Sequence, residues 1–265
     1  MVSAVLRVVR RFNLSTITQD IILRSDARRV DFATHVDWRE TERMLKAAFH
    51  PDVLASKATY EIQFGAIERP THWNTSYDRA RFEVCGHKWA DLSEGGYGVS
   101  LLNDCKYGYD IKDNVMRLTL LRAPNYPDPV GDKGEHDFVY SIYPHFGDWR
   151  VGDTVREAYQ LNAPLAAGTG SGAAAKLAPF GFVASSRPDV IVDTLKGAED
   201  GDGLILRVYE SQGARGDAEV DFGFALASAA ECNLMEDYEH DVPVEGGRLR
   251  FYIKPYEIKT FRLIP

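Results

Sequence analysis

Ala58-Thr59-Tyr60-Glu61-Ile62-Gln63-Phe64 is the stretch of this chain that most plainly indicates its fold class. Apolar and polar residues alternate along it, as they do in a strand that buries one face. Residues 81–85 and 115–120 show the same alternation. Turn-forming residues separate such stretches; they include Gly95-Gly96, Asn103-Asp104, Asp113-Asn114 and Pro124-Asn125-Tyr126-Pro127. The pattern predicts an all-β protein.

Strand-like runs also occupy both ends of the chain. Residues 5–9, 15–23 and 30–36 are rich in β-branched residues or alternate with period two. The predicted strands of the last third are residues 190–195, 204–209, 218–225, 231–235, 248–253 and 258–263. Short strands at this spacing predict a second sandwich. Because the chain starts within a strand-like run, we also expect it to be a piece of something longer.

The composition narrows the class of protein. The 265 residues are long enough for two β domains or one large one, and 45% hydrophobic with 26% charged residues is an ordinary globular balance. The net charge of -8 is spread along the chain and no basic face is visible, so nucleic-acid binding is not expected. No run of about 18 apolar residues predicts a membrane span, and the N-terminus lacks a signal-peptide pattern.

The cysteines point to the redox compartment. Cys85, Cys105 and Cys232 are odd in number and widely spaced, without a C-x-x-C pair. This excludes a cysteine-rich zinc module and argues against a disulfide framework. We expect all three to be buried thiols in a reducing compartment.

Two segments depart from the strand pattern. Residues 39–49 are rich in helix formers, although the stretches on both sides are strand-like and tertiary context often overrides propensity. Residues 163–180 are rich in Gly and Ala, which predicts a linker between a domain of residues 1–162 and one of residues 181–265. The linker lacks the Gly-Lys-Ser/Thr ending of a phosphate-binding loop.

Three local clusters are candidates for chemistry. Residues 69–78 mix polar and aromatic side chains around Trp73, as sugar-contacting loops do, but a structured surface loop or a domain contact would read the same way. In residues 87–98, His87 and Asp91 could be metal ligands or could satisfy backbone groups around a tight turn. In residues 120–124, Arg122 could donate to a ligand hydroxyl or carboxylate, or pair with a structural carboxylate.

No complete catalytic motif is present in the sequence. H-E-x-x-H and Gly-x-Ser-x-Gly are both missing, and Gly170-Ser171-Gly172 lies in the predicted linker and not on a strand-to-helix turn. Carboxylates of a glycosidase meet only in space, so their spacing along a chain cannot identify them. The sequence therefore predicts a protein without a complete active site of its own.

A series of motifs in order resembles the C-terminal region of glycoside hydrolase family 38 α-mannosidases of the cytosolic and bacterial type. The motifs are YEIQFG (60–65), RPTH (69–72), RFEV (81–84), WADLSE (89–94), LLNDCKYG (101–108), LLRAP (120–124), LKGAEDGDG (195–203) and PYEIKTF (255–261). The resemblance covers nearly the whole chain from about Val30 onward. It implies part of a large, galactose-mutarotase-like super-sandwich followed by a smaller C-terminal β-sandwich. It also implies an extended strand, rather than a helix, for residues 39–49.

The resemblance implies that the catalytic residues lie in a domain that this chain does not contain. A full enzyme of the family hydrolyses α-mannosidic bonds with retention, using an aspartate nucleophile and a divalent metal, usually zinc, in an N-terminal catalytic domain. No catalytic residue, metal ligand or cofactor is therefore assigned to this chain. An arginine of the large sandwich reaches the sugar site in the family, and its position in the Leu-Leu-Arg motif makes Arg122 the candidate. Asn103 and Asp104 are expected near the same face.

Three functions are open at this point. The chain could be the non-catalytic region of an α-mannosidase, silent without its N-terminal catalytic domain. It could instead be a stand-alone carbohydrate-binding module for mannose-containing glycans, with Trp73 and Trp89 as contacts, or a structural or oligomerising domain. We expect a cytoplasmic protein with no nucleic-acid or membrane partner, and homo-oligomerisation stays an alternative.

Overall fold

The structure, a computed structural model, describes residues 2–169 and 180–265. The chain divides into two compact units, unit 1 (Met1–Gln63 and Ile67–Leu165) and unit 2 (Phe64–Ala66 and Ala166–Pro265). Most of the predicted linker, residues 170–179, lies outside the described residues. No helix in the described part is long and apolar enough to cross a membrane.

Unit 1 contains twelve strands and two short helices among its described residues. They are β1 (Ser3–Phe12), β2 (Ser15–Arg24), β3 (Val30–Trp38), β4 (Leu45–Phe49), β5 (Lys57–Ile62), β6 (Gly65–Pro70), α1 (Ser76–Ala80), β7 (Val84–Cys85), β8 (Trp89–Ser93), β9 (Tyr97–Asn103), β10 (Gly108–Lys112), β11 (Val115–Leu121), β12 (Gly134–Phe146) and α2 (Thr154–Asn162). Eight strands form one sheet in the order β1-β2-β3-β12-β9-β8-β5-β6, and four form a second in the order β4-β11-β10-β7.

The core of unit 1 comes from the alternating residues of both sheets. Leu101, Tyr109, Met116 and Leu118 have no exposed surface, and Tyr60 is 2% exposed. The alternation in the sequence predicted this burial, since residues two apart on a strand share one face.

Helix α2 packs on the other face of the eight-stranded sheet, against β8 and β9. The rings of Trp89 and Trp149 meet there at 5.0 Å between centroids, and both residues are buried. Glu157 of α2 accepts a hydrogen bond from Arg29 Nη1 at 3.0 Å. Unit 1 thus has three layers, which are the four-stranded sheet, the eight-stranded sheet and α2. Polar side chains lie between the eight-stranded sheet and α2.

Unit 2 is a smaller β-sandwich. Its strands are β13 (Val183–Ser185), β14 (Val190–Gly197), β15 (Leu204–Glu210), β16 (Gly216–Phe222), β17 (Ser228–Cys232), β18 (Tyr238–Val242), β19 (Val244–Glu245), β20 (Arg248–Ile253) and β21 (Ile258–Ile264). They form sheets in the orders β13-β16-β20-β19 and β14-β15-β21-β17-β18. Leu206, Val220, Leu249 and Phe261 fill the space between the sheets. The predicted all-β sandwich fold is confirmed.

The segment that resembled a helix forms a strand in its second half only. Leu45–Phe49 is β4, which pairs with β11 and buries Ala47, whereas residues 39–44 are irregular with a bend at residues 41–42. The strand prediction is therefore confirmed for β4, because pairing with β11 outweighs local helix propensity. Two other predictions were displaced: residues 81–83 are irregular before β7, and β17 begins three residues earlier than expected.

The cysteine prediction was wrong for two of the three residues. Cys85 and Cys105 are exposed and only Cys232 is buried, and all three are free thiols. Cys85 ends the two-residue edge strand β7, and Cys105 lies in the turn after β9. The sequence did not reveal the exposure of either position.

Candidate functional site

Arg122 lies immediately after β11, on a backbone that its neighbours hold in place. The backbone N–H groups of Arg122 and Ala123 donate to Asp132 Oδ2 at 3.0 and 2.9 Å. The carbonyl of Ala123 accepts a hydrogen bond from Glu42 N at 2.8 Å. The side chain of Arg122 is exposed and makes no hydrogen bond or ion pair with the described residues. The structure therefore presents a guanidinium with five free donors from a fixed point.

Asp132 is the residue that fixes this loop. The N–H groups of Ala123 and Arg122 lower the pKa of its carboxyl, because they stabilise the charged form. The nearby positive charge of Lys106 lowers the pKa further. Lys106 belongs to the turn that follows Asn103 and Asp104. Gly108, just after this turn, pairs with Thr119 near the end of β11, so the structure brings both predicted segments to the same end of unit 1.

Asn103 and Asp104 use their side chains to build that turn. Asn103 is buried; its Nδ2 donates to the His87 carbonyl at 2.9 Å, and its Oδ1 accepts from the Lys106 N–H. Asp104 is exposed, and its Oδ2 accepts from Val139 N at 3.0 Å. These bonds give both residues a structural role, and contact of either with a sugar stays a prediction.

Cys105 directly follows Asp104, and its surroundings disfavour the charged thiolate form of its side chain. Although the residue is exposed as a whole, partial burial of its sulfur, together with the hydrogen bond and negative charge of Asp104, raises its pKa to about 11. The thiolate, not the thiol, is the reactive form.

We expect Cys105 to react with iodoacetamide at pH 8 about 10- to 100-fold more slowly than a cysteine with the ordinary pKa of 9.0, because its lower thiolate fraction outweighs the higher nucleophilicity of that thiolate. The D104N variant removes the negative charge and should speed the reaction severalfold. Mass spectrometry of the peptide that contains Cys105, sampled over time, gives the rate. Equal rates before and after the D104N substitution would show that Asp104 does not control this thiol.

The loop of residues 69–78 is anchored to the β-sheets. Thr75 caps α1 through a capping box with Asp78, and the Arg69 guanidinium lies 4.7 Å from the centre of the Tyr60 ring. Arg69 Nη1 and His72 Nδ1 are buried without a hydrogen-bond partner and line a cavity of about 20 Å³. That volume holds one water molecule and excludes a sugar.

The two tryptophans expected as sugar contacts differ in access. Trp73 is 37% exposed, with Lys112 Nζ 4.5 Å from its ring centre, whereas Trp89 is 1% exposed. Only Trp73 could therefore stack on a sugar, and sugar binding through its ring stays a prediction.

Asp91 belongs to a buried hydrogen-bond network that the sequence did not reveal. His145 Nε2 lies 2.7 Å from Asp91 Oδ2, and Ser100 Oγ donates to the same oxygen at 2.7 Å. Ser93 also bonds to Asp91, and Ser100 Oγ lies 2.7 Å from Thr154 Oγ1 of α2. We name Asp91, Ser100, His145 and Thr154 the Asp91 network. Its members come from β8, β9, β12 and α2, so no local sequence pattern predicts the network.

The Asp91 network contains Ser, His and Asp but cannot work as a nucleophilic triad. In a triad, one ring nitrogen of the histidine contacts the serine and the other contacts the aspartate. Here His145 Nε2 contacts both Asp91 and Ser100, at 2.7 and 3.2 Å. All four side chains are buried, with at most 6% exposed. The network therefore joins β8, β9, β12 and α2 and is structural in position.

His87 does not join Asp91 in a ligand set. Its ring lies edge-on to the ring of Tyr107, with 5.6 Å between centroids. Across residues 2–169 and 180–265, no group of three His, Cys, Asp or Glu side chains could hold a metal ion. The residues described here do not fit the metal centre of the resembled family.

Comparisons with known proteins agree with this architecture. Residues 1–130 match the glycosyl hydrolases family 38 C-terminal domain, and residues 189–261 match the glycosyl hydrolases family 38 C-terminal beta sandwich domain. The chain is 43% identical to Alpha-mannosidase G of Dictyostelium discoideum over 94% of its length, and 39% identical to human Alpha-mannosidase 2C1 over 94%. It covers 23% and 24% of those two proteins.

The fold is also found in a solved structure. An alpha-mannosidase from Enterococcus faecalis superposes with a TM-score of 0.75 at 17% identity, over 94% of this chain and 29% of that one. The chain is thus a tandem β-sandwich protein of the type found in glycoside hydrolases. It belongs to the C-terminal region of glycosyl hydrolase family 38 and spans about a quarter of the length of the curated relatives.

Proposed function

We propose that this chain is the non-catalytic C-terminal region of a retaining α-mannosidase. Hydrolysis of α-mannosides then requires the N-terminal catalytic domain of the same enzyme. The observation that carries the proposal is the match to two C-terminal domains of one family, with relatives named alpha-mannosidases aligned over 94% of this chain. The catalytic aspartate and the zinc ion of the resembled family belong to that other domain.

Within such an enzyme, Arg122 is the contribution of this chain to the sugar site. Its planar guanidinium can donate to two neighbouring hydroxyl groups at once, which orients a sugar ring. Asp132 holds the backbone from which Arg122 projects, so the donors are positioned before substrate arrives. Asp104 is exposed at the same end of unit 1 and is the second candidate contact.

A fusion protein tests this role of Arg122. We expect this chain to replace the matched region of Alpha-mannosidase G and to support turnover of 4-nitrophenyl α-mannoside. The R122A substitution should then lower kcat/KM about 10- to 100-fold, since hydrogen bonds from a charged donor contribute about 1.5–3 kcal/mol. R122K should fall between the two, because lysine keeps the charge but loses the paired donors.

Two controls accompany this measurement. Arg215 of unit 2 is exposed and makes no hydrogen bond or ion pair with the described residues, so it provides the matched variant R215A, which should keep its activity within twofold. The purified chain alone should show no turnover. Turnover by the isolated chain that R122A abolishes would overturn the proposal, and so would an inactive but folded fusion protein.

We also propose a cytoplasmic location. The motifs resemble the cytosolic type of the family, and all three cysteines are free, as is usual for thiols in a reducing compartment.

A further inference from the structure

The two sheets of unit 1 differ in width, since one has eight strands and the other has four. β4 is an edge strand of the narrower sheet, and among the described residues its backbone pairs only with β11. Beside β4 lies an open groove whose lining includes Arg10 of β1 and Ile17 and Gln19 of β2. β4 therefore offers a row of backbone hydrogen-bonding groups next to a sheet face that it does not cover.

The face of β1 and β2 that borders this groove is apolar. Ile17 packs on the core of unit 1, so Ile21 and Leu23 point to the same side. Across the ribbon, Leu6 pairs with Ile21 and Ala4 with Leu23. Leu6 is 62% exposed and Leu23 is 52% exposed. We call this side of β1 and β2 the inner face; it is an apolar surface continuous with the core and open to solvent.

A single charged side chain of β1 lies on the inner face. Arg10 is opposite Ile17, is exposed, and has no hydrogen bond or ion pair with the described residues. On the outer face, by contrast, Arg7 is bonded to Asp20 at 2.7 Å. The occupant that fits the groove is an extended strand with apolar residues at alternate positions and a carboxylate opposite Arg10.

We propose that a strand from the part of the same α-mannosidase that lies outside this region pairs with the open edge of β4 and buries the inner face. The inference rests on the proposed function, because that part of the enzyme supplies the strand. The curated relatives have about three quarters of their length outside the matched region, which provides the polypeptide. A second copy of this chain fits less well, since symmetric pairing over the inner face would bring the Arg10 side chains of two β1 strands together.

Cysteine labelling distinguishes the two faces of β1. Leu6 and Val5 are neighbours of similar exposure, 62% and 56%, but only Leu6 lies on the inner face. The L6C and V5C variants are made in a background with C85S and C105S, which removes the exposed thiols. Each is labelled with maleimide-polyethylene glycol in the isolated chain and in the fusion with the rest of Alpha-mannosidase G.

In the isolated chain, both variants should react at rates within threefold of each other. In the fusion protein, L6C should react at least tenfold more slowly than in the isolated chain, while V5C changes by less than threefold. Unchanged labelling of L6C in the fusion would overturn the proposal, as would equal protection of V5C. Protection of L6C in an isolated chain that sediments as a dimer would identify a second copy as the occupant instead.

Turnover of 4-nitrophenyl α-mannoside by the same fusion separates this inference from the proposed function. An active fusion with unprotected L6C retains the function and rejects the docking strand. A folded, inactive fusion with protected L6C rejects the function and retains the docking strand.

Discussion

The D91A variant is expected to lower the free energy of unfolding of unit 1 by about 1–3 kcal/mol, the range found when a buried polar group is left without its hydrogen-bond partner. Asp91 is 1% exposed. Its Oδ2 accepts a hydrogen bond from Ser100 Oγ and lies 2.7 Å from His145 Nε2. Without the carboxylate, His145 Nε2 loses its partner at 2.7 Å, and Ser100 keeps only Thr154 and His145. H145L should have an effect of similar size, since it leaves the carboxylate buried beside an apolar side chain.

Tryptophan fluorescence during urea unfolding measures this change. Trp38, Trp73, Trp89 and Trp149 are the four tryptophans of the chain and all belong to unit 1, so the signal reports that unit. The D91A/H145L double variant should lose less stability than the sum of the two single losses, because the side chains share one interaction. D26A, at an exposed aspartate that makes no hydrogen bond or ion pair with the described residues, should change stability by less than about 0.5 kcal/mol. A loss below about 1 kcal/mol for D91A would show that the Asp91 network contributes little.

The E210A variant is expected to destabilise unit 2 by about 2–4 kcal/mol. Glu210 ends β15 with no exposed surface, and its carboxylate accepts three backbone hydrogen bonds, from Gln212 and Gly213 at 2.8 Å and from Tyr256 at 2.9 Å. The carboxylate therefore joins the turn after β15 to the turn before β21. Its removal leaves three donors without a charged acceptor, and partial access of water to the turn limits the cost.

Hydrogen exchange of the β15 and β21 amides measures this effect, because unit 2 has no tryptophan. Protection of these amides should fall about 30- to 1000-fold in E210A if they exchange through global opening of unit 2. E239A, at an exposed glutamate on β18, is the matched control and should leave their protection unchanged. Equal protection in E210A and the parent chain would mean that the two turns hold without the carboxylate.

Strands were predictable from this sequence wherever one face is buried, because burial imposes alternation on the residues themselves. The stretch around Tyr60 and β11 both follow this rule. β4 did not, since its residues favour helix and only the register with β11 fixes its conformation. Resemblance to a family supplied what local pattern could not.

The polar contacts were less predictable than the strands. Asp91 and His145 are 54 residues apart, and the sheet order alone brings them together. Arg122 was singled out by its motif, but the role of Asp132 in fixing its backbone follows from two hydrogen bonds that cross a loop. Asn103 was recognised as a turn residue, and its burial became evident only in three dimensions.

The placement of α2 has a practical consequence for anyone who divides this chain. The family match in the first unit ends at residue 130, yet β12 and α2 follow it and complete the same unit. Thr154 and Glu157 of α2 reach the buried side chains Ser100 and Arg29. A boundary placed at residue 130 would remove β12 and α2 from unit 1. The limits of the matched sequence region and those of the folding unit are therefore different here.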